Sequence, residues 1–152
     1  MRQLRVAAIL AAAVLVVAAA ASAARSQRVS FHTDDGVTIA ATWYEPSFRP
    51  APAVILVHML GRSRRDWDSF ASRLADSGIG ALAIDLRGHG DSVYFAGGDR
   101  GDYSSMVRDV TAARRYLAGR PDVRPSAIGI AGASIGANLA VLAAADDPAV
   151  AS

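Results

Sequence analysis

"GIAGASIGANLA", Gly129 to Ala140, sets Ser134 between Gly132 and Gly136, directly behind a short apolar run. The run "AIGIAG" predicts a strand buried in a sheet, and "SIGANLAVLAAA" predicts a helix. Gly132-Ala133-Ser134-Ile135-Gly136 is then G-x-S-x-G at a strand-to-helix corner. A turn that sharp forces the serine into a strained backbone. Side chains two residues before and after it would collide, so glycine suits both places. The corner lifts the hydroxyl above the sheet and sets the Ile135 N–H at the helix start, where an oxyanion could be held. Ser134 is therefore a candidate nucleophile. A plainer reading makes Ser134 a helix cap and the glycines packing devices. A dinucleotide fingerprint is disfavoured, because glycines at 129, 132 and 136 do not match G-x-G-x-x-G.

Upstream, strand and helix patterns alternate. "RVSFHT" and "VTIAATWY" alternate apolar with polar residues on either side of "DDG", the pattern of a β-hairpin. "EPSFRPAP" is a proline-rich connector. "AVILVHM" and "IGALAIDL" are continuous apolar runs, as in buried strands of a parallel sheet. "SRRDWDSFASRLADSG" predicts a helix that sets Trp67, Phe70 and Leu74 on one face and stops at Gly78. "YSSMVRDVTAARRYLAG" predicts another, with Met106, Val110, Ala113 and Leu117 in register. Strand–helix alternation predicts an α/β fold with right-handed crossovers.

The 152 residues allow one domain at most. With 52% apolar residues there is material for a core. The amino terminus, residues 1–24, reads as an export signal: Arg2 and Arg5, an uncharged apolar stretch, then Ala21-Ser22-Ala23-Ala24 with small residues for cleavage. A retained membrane anchor is the competing reading, since Val6 to Ala24 is 19 uncharged residues, near the ~20 that span a bilayer. Residues 25–152 are then the folded part. Without the leader, 14 basic residues face 14 acidic ones, which leaves no electrostatic footprint for nucleic acid. A membrane partner is expected only if the leader is retained. The chain has no cysteine, which excludes disulfides, thiolate catalysis and cysteine-bound zinc. His32, His58 and His89 have no metal-ligand spacing, so neither metal nor other cofactor is implied.

Two further motifs, "VHMLGRS" (Val57 to Ser63) and "DLRGHGDS" (Asp85 to Ser92), follow the two upstream buried strands. Together with "GASIGA", in this order behind a hairpin, they resemble the α/β-hydrolase superfamily, and within it dienelactone-hydrolase-like and acyl-ester hydrolases. The resemblance runs from Arg28 to the end. It implies a mostly parallel sheet with an amino-terminal hairpin, a small-molecule acyl substrate, and Ser134 as nucleophile. It implies that the Ile135 N–H enters the oxyanion hole, with Leu60, or else Met59, supplying the second N–H. By the same resemblance Gly132, Gly136, His58 and Gly61 are structural members of the motifs, with Met59 departing from the glycine common there. His89 belongs to the loop after the second buried strand, and His32 to exposed hairpin surface. Asp85, Asp91 and Asp99 read as loop-capping groups. Arg62, Arg64 and Arg65 read as a solvated helix start, with a hold on a substrate carboxylate as the alternative.

In that family the order along the chain is serine, acid, histidine. All three histidines here precede Ser134. The expectation is therefore an amino-terminal part of a hydrolase, with acid and base in further strand–helix units beyond residue 152. On that reading the strand Ile128 to Ala131 becomes an apolar edge. The chain alone is then expected to be insoluble or partly unfolded and without useful esterase turnover. The functional alternative is a non-catalytic exported binding module on the same scaffold.

Overall fold

Alternation builds the hairpin first. Phe31 on Ser26–His32 (β1) and Ile39, Ala41 and Trp43 on Thr38–Tyr44 (β2) turn to one face and are buried. The strands pair antiparallel from Ser26 opposite Tyr44 to His32 opposite Thr38. The fold is a computed structural model that describes residues 25–92, 103–147 and 150. The export-signal reading and Asp99 therefore fall outside the described residues.

The apolar runs form Ala51–Val57 (β3) and Gly80–Ile84 (β4), which pair in parallel, and Val123–Gly132 (β5), which pairs in parallel with β3. β4 also pairs antiparallel with β2, giving the order β1-β2-β4-β3-β5. The architecture is the α/β sheet expected, with β5 at an edge. β5 is longer than its apolar core suggested. It carries a register shift against β3 between Ala51 and Ala53, where exposed Arg124, Pro125 and Ser126 bulge outward.

Helices cover both faces. The expected helix after β3 splits: Arg64–Trp67 is a 3-10 turn, and Asp68–Asp76 (α1) is α-helical. Ala71 and Ala75 of α1 pack on Tyr44, Leu56, Ala81 and Ala83. Tyr103–Ala118 (α2) and Ile135–Asp146 (α3) cover the other face, where Met106, Val110, Leu117 and Leu139 meet Trp43, Ile55, Val57 and Ile84. β4 is buried throughout, which explains its unbroken apolar sequence. No helix among the described residues is long and apolar enough to cross a membrane.

Candidate active site

At the end of β5 the chain turns into α3 through Ser134, whose φ of 53° and ψ of −120° make it the one non-glycine residue with positive φ among those described. A serine held there costs about 1–3 kcal/mol. The surroundings over-determine it. The Ala133 N–H donates to Val57 O at 3.2 Å, the Gly136 N–H to Ala133 O at 2.9 Å, and the Ala137 N–H to Ser134 O at 2.9 Å. The flanking glycines are needed for space. A Cβ on Gly132 would lie 2.3 Å from the Gly136 carbonyl, and one on Gly136 would lie 2.3 Å from Val57 O. The first keeps the two arms of the corner together. The second lets α3 start against the end of β3.

Ser134 is exposed and its hydroxyl makes no capping bond to the helix, nor does its backbone have the extended form a cap takes. The corner therefore does not gain the hydrogen bond that a capping serine would supply. The Ile135 N–H precedes the first intrahelical bond and has no backbone acceptor among the described residues. It points from the positive end of the α3 dipole.

The loop after β3 begins beside this corner, because Val57 pairs with Gly132 and the His58 carbonyl also abuts Gly136. Met59 and Leu60 are exposed on it, and neither N–H has a backbone acceptor among the described residues. The loop closes as a turn, with the Arg62 N–H on Met59 O at 3.2 Å and Gly61 at φ 72°. The structure thus brings Ser134, Ile135, Met59, Leu60 and His58 to one end of the sheet.

His58 is 1% exposed and works as a crosspiece. Its Nε2 accepts the Leu86 N–H at 3.0 Å, so the proton sits on Nδ1, which donates to Met59 O at 2.7 Å. Burial pushes its pKa below the ordinary histidine value. Both nitrogens are committed in the neutral form, and His58 ties the ends of β3 and β4 together. His89 stacks obliquely on it at 5.1 Å, with Nδ1 against Arg87 O at 3.0 Å. His32 is exposed and meets Thr38 Oγ1 at 3.1 Å. Among the described residues no histidine hydrogen-bonds Ser134.

One sequence reading needs correction. Arg64 is not solvated: it is 4% exposed and ion-paired with the fully buried Asp85. Its Nη2 reaches Asp91 at 2.6 Å and its Nε reaches Thr42 Oγ1 at 3.1 Å. Asp85 in turn accepts the Arg64 N–H at 2.7 Å and the Asp91 N–H at 2.8 Å. It anchors the loop after β3 and the loop after β4 with one carboxylate, which is loop capping as read for both aspartates. Arg62 and Arg65 are exposed, and Arg62 pairs with Asp66 at 2.7 Å. A second network, buried at Arg87 and Asp109 and open at Asp35, joins residues far apart in the chain. Arg87 donates from N and Nε to Asp109 at 2.9 and 2.8 Å, and from its two Nη atoms to Asp35 at 2.8 and 3.1 Å. The Arg87 guanidinium holds the Asp35 carboxyl well below the usual carboxylate range, while burial pushes Asp109 up. Its only sequence signal is an aspartate inside the apolar register of α2. No group of three or more potential metal ligands occurs among the described residues.

Residues 49–152 match the family model described as serine aminopeptidase, S33. The chain is 31% identical over 122 residues to the uncharacterized protein Rv2307c of Mycobacterium tuberculosis, covering 79% of this chain and 41% of that protein. It is 32% identical over 123 residues to the quorum-quenching protein AidA of Acinetobacter baumannii, covering 78% of this chain and 39% of that one. Among solved structures it superposes on the α/β hydrolase GrgF from Penicillium with a TM-score of 0.77 and 27% identity, over 83% of this chain and 43% of that chain. The Pyrococcus furiosus esterase Pf2001 follows the same fold at a TM-score of 0.69 and 26% identity, over 84% of this chain and 47% of that one. The chain thus spans about two fifths of the length of the curated relatives it matches. The matched family and the shared fold together place the chain in the serine aminopeptidase S33 family of the α/β-hydrolase superfamily.

Proposed function

We propose that this chain carries the nucleophile and oxyanion half of a serine hydrolase acting on carboxylic esters or related acyl compounds. The observation that carries the reading is the corner at Ser134: an exposed hydroxyl on a positive-φ backbone, followed at once by an uncommitted N–H at a helix start. The Ser134 oxygen would attack the carbonyl carbon. The charge developing on the carbonyl oxygen would be met by the Ile135 N–H and by that of Leu60 or Met59. Collapse would expel the alcohol and leave an acyl ester on Ser134, which water then cleaves.

Solved relatives carry both esterase and epoxide hydrolase names. The chemistry of a hydroxyl nucleophile favours the first. Opening an epoxide with a serine oxygen would form an alkyl ether, which water does not readily hydrolyse, whereas an acyl ester turns over. The proton must go to a base outside the present site. His58 has both nitrogens engaged, His32 lies on the hairpin, and His89, with only its Nδ1 engaged by Arg87 O, makes no hydrogen bond to Ser134 among the described residues. Without that base the chain retains at most the ~10³–10⁴-fold acceleration that an oxyanion hole and binding alone leave to a triad enzyme. The amino-terminal segment would direct export of the protein, either cleaved or kept as an anchor.

The test is hydrolysis of p-nitrophenyl acetate together with labelling by a fluorophosphonate. The expected result for this chain is no useful turnover and slow labelling confined to Ser134, lost in Ser134→Ala. Rapid turnover that disappears in Ser134→Ala would overturn the missing-base part. Labelling unchanged in that variant would overturn the nucleophile assignment.

A further inference from the structure

At the β1 edge of the sheet, away from β5, a cleft of about 320 Å³ opens on the α1 face. Its floor is set by register. Ser26 stands opposite Tyr44 and Arg28 opposite Thr42, so these four alternate residues share one face. The 3-10 turn brings Arg64 and Arg65 over them, and Asp68 of α1 closes the side.

The charges in this cleft are unevenly satisfied. Arg64 is spent on Asp85, Asp91 and Thr42. Asp68 accepts the Tyr44 hydroxyl at 2.6 Å on Oδ1, and Oδ2 has no partner among the described residues. Arg28 and Arg65 are exposed and form no ion pair or side-chain hydrogen bond among the described residues. Both lie close enough to Asp91 to add to the pull by which Arg64 holds its carboxyl below the ordinary range. Arg28 and Arg65 thus both line one polar cleft, neither with a carboxylate at ion-pair distance among the described residues, although the Asp68 carboxylate lines the same cleft. Guanidinium forks match phosphate oxygens in pairs, and two of them match a dianion. The cleft is larger than a bare ion requires, and Asp68 Oδ2 offers an acceptor for a hydroxyl.

We propose that this cleft binds a small hydroxylated phosphomonoester, a sugar or polyol phosphate, with the phosphate on Arg28 and Arg65 and a hydroxyl on Asp68. The assignment does not rest on the acyl chemistry at Ser134, which lies at the opposite side of the sheet.

Calorimetric titration of the full chain with glycerol 3-phosphate, at fixed ionic strength, tests it. Binding in the millimolar range or tighter is expected, with inorganic phosphate weaker and succinate weaker still. The double variant R28A/R65A should lower the affinity at least about tenfold, and D68N should remove the advantage of glycerol 3-phosphate over phosphate. R73A, which changes another exposed arginine on α1, should leave the affinity unchanged. These side chains are exposed, and thermal melts of each variant check that the fold is kept. No binding at ~10 mM ligand, equal affinity for succinate, or equal loss in R73A would overturn the proposal.

Discussion

Ser134 holds an unfavourable backbone conformation that glycine adopts freely. Ser134→Gly should therefore raise stability by about 1 kcal/mol, the strain relieved less the entropy lost by glycine. Urea unfolding measures it, and a decrease would mean that the corner is not strained. That strain was legible in G-x-S-x-G, because glycine on both sides of one serine, between a strand and a helix, suits a backbone bent that sharply. His58 was legible only as a motif position. Its two hydrogen bonds join atoms 28 residues apart for one nitrogen and adjacent residues for the other, and no spacing encodes the first. The bonds have a pH consequence. Burial lowers the folded pKa of His58 below the ~6.5 of an unfolded histidine. Above that pH both states are neutral and the stability is whole. As the pH falls below ~6.5, the unfolded chain takes up a proton that the folded chain refuses, so stability is lost down to the folded pKa. Glutamine at 58 can still accept the Leu86 N–H and does not titrate. His58→Gln should flatten this part of the stability–pH curve, and an unchanged slope would remove His58 as its source.

Among the elements, the joint between the hairpin and α2 depends on Arg87. Asp109 on α2 is fully buried and Asp35 sits in the turn between β1 and β2. Arg87→Ala would leave the Asp109 carboxyl without its partner in the core. The expected loss is about 3–5 kcal/mol, and removal of Arg62 from the exposed pair Arg62–Asp66 should cost far less, because solvent screens that pair. Chemical denaturation of R87A and R62A compares them, and similar small losses would mean the buried pair contributes little. Strands and helices themselves were readable, since period-2 and period-3.6 patterns need only local sequence. The buried ion pairs were not. Arg64 stands in "RSRRD", which by composition belongs in water, and only the fold brings Asp85 beneath it. The helix expected over 63–78 also hides its first turn, which is 3-10 and carries the buried Arg64, whose N–H donates to that carboxylate.

For the whole molecule, the two edges of the sheet differ. β1 presents Ser26, Gln27, Arg28 and Ser30, polar residues that discourage pairing with another strand. β5 presents Ala127 to Gly132, a run with neither charge nor proline, and α3 beside it exposes Val141 and Leu142. The expectation of an apolar edge holds in part. Ile128 is buried, while Gly129 to Gly132 are only half-buried, because among the described residues β5 has a neighbouring strand on one side alone. The chain should self-associate through this edge as its concentration rises. Sedimentation velocity over a hundredfold range of concentration tests it, and a monomer throughout would show that the edge is protected. The protruding residues 124–126 on this same strand have a different use. They loop out between two points of firm strand pairing, so extra polypeptide spliced in there would enlarge a detour the backbone already makes, and a fluorophore or affinity tag could ride at that spot without disturbing the sheet.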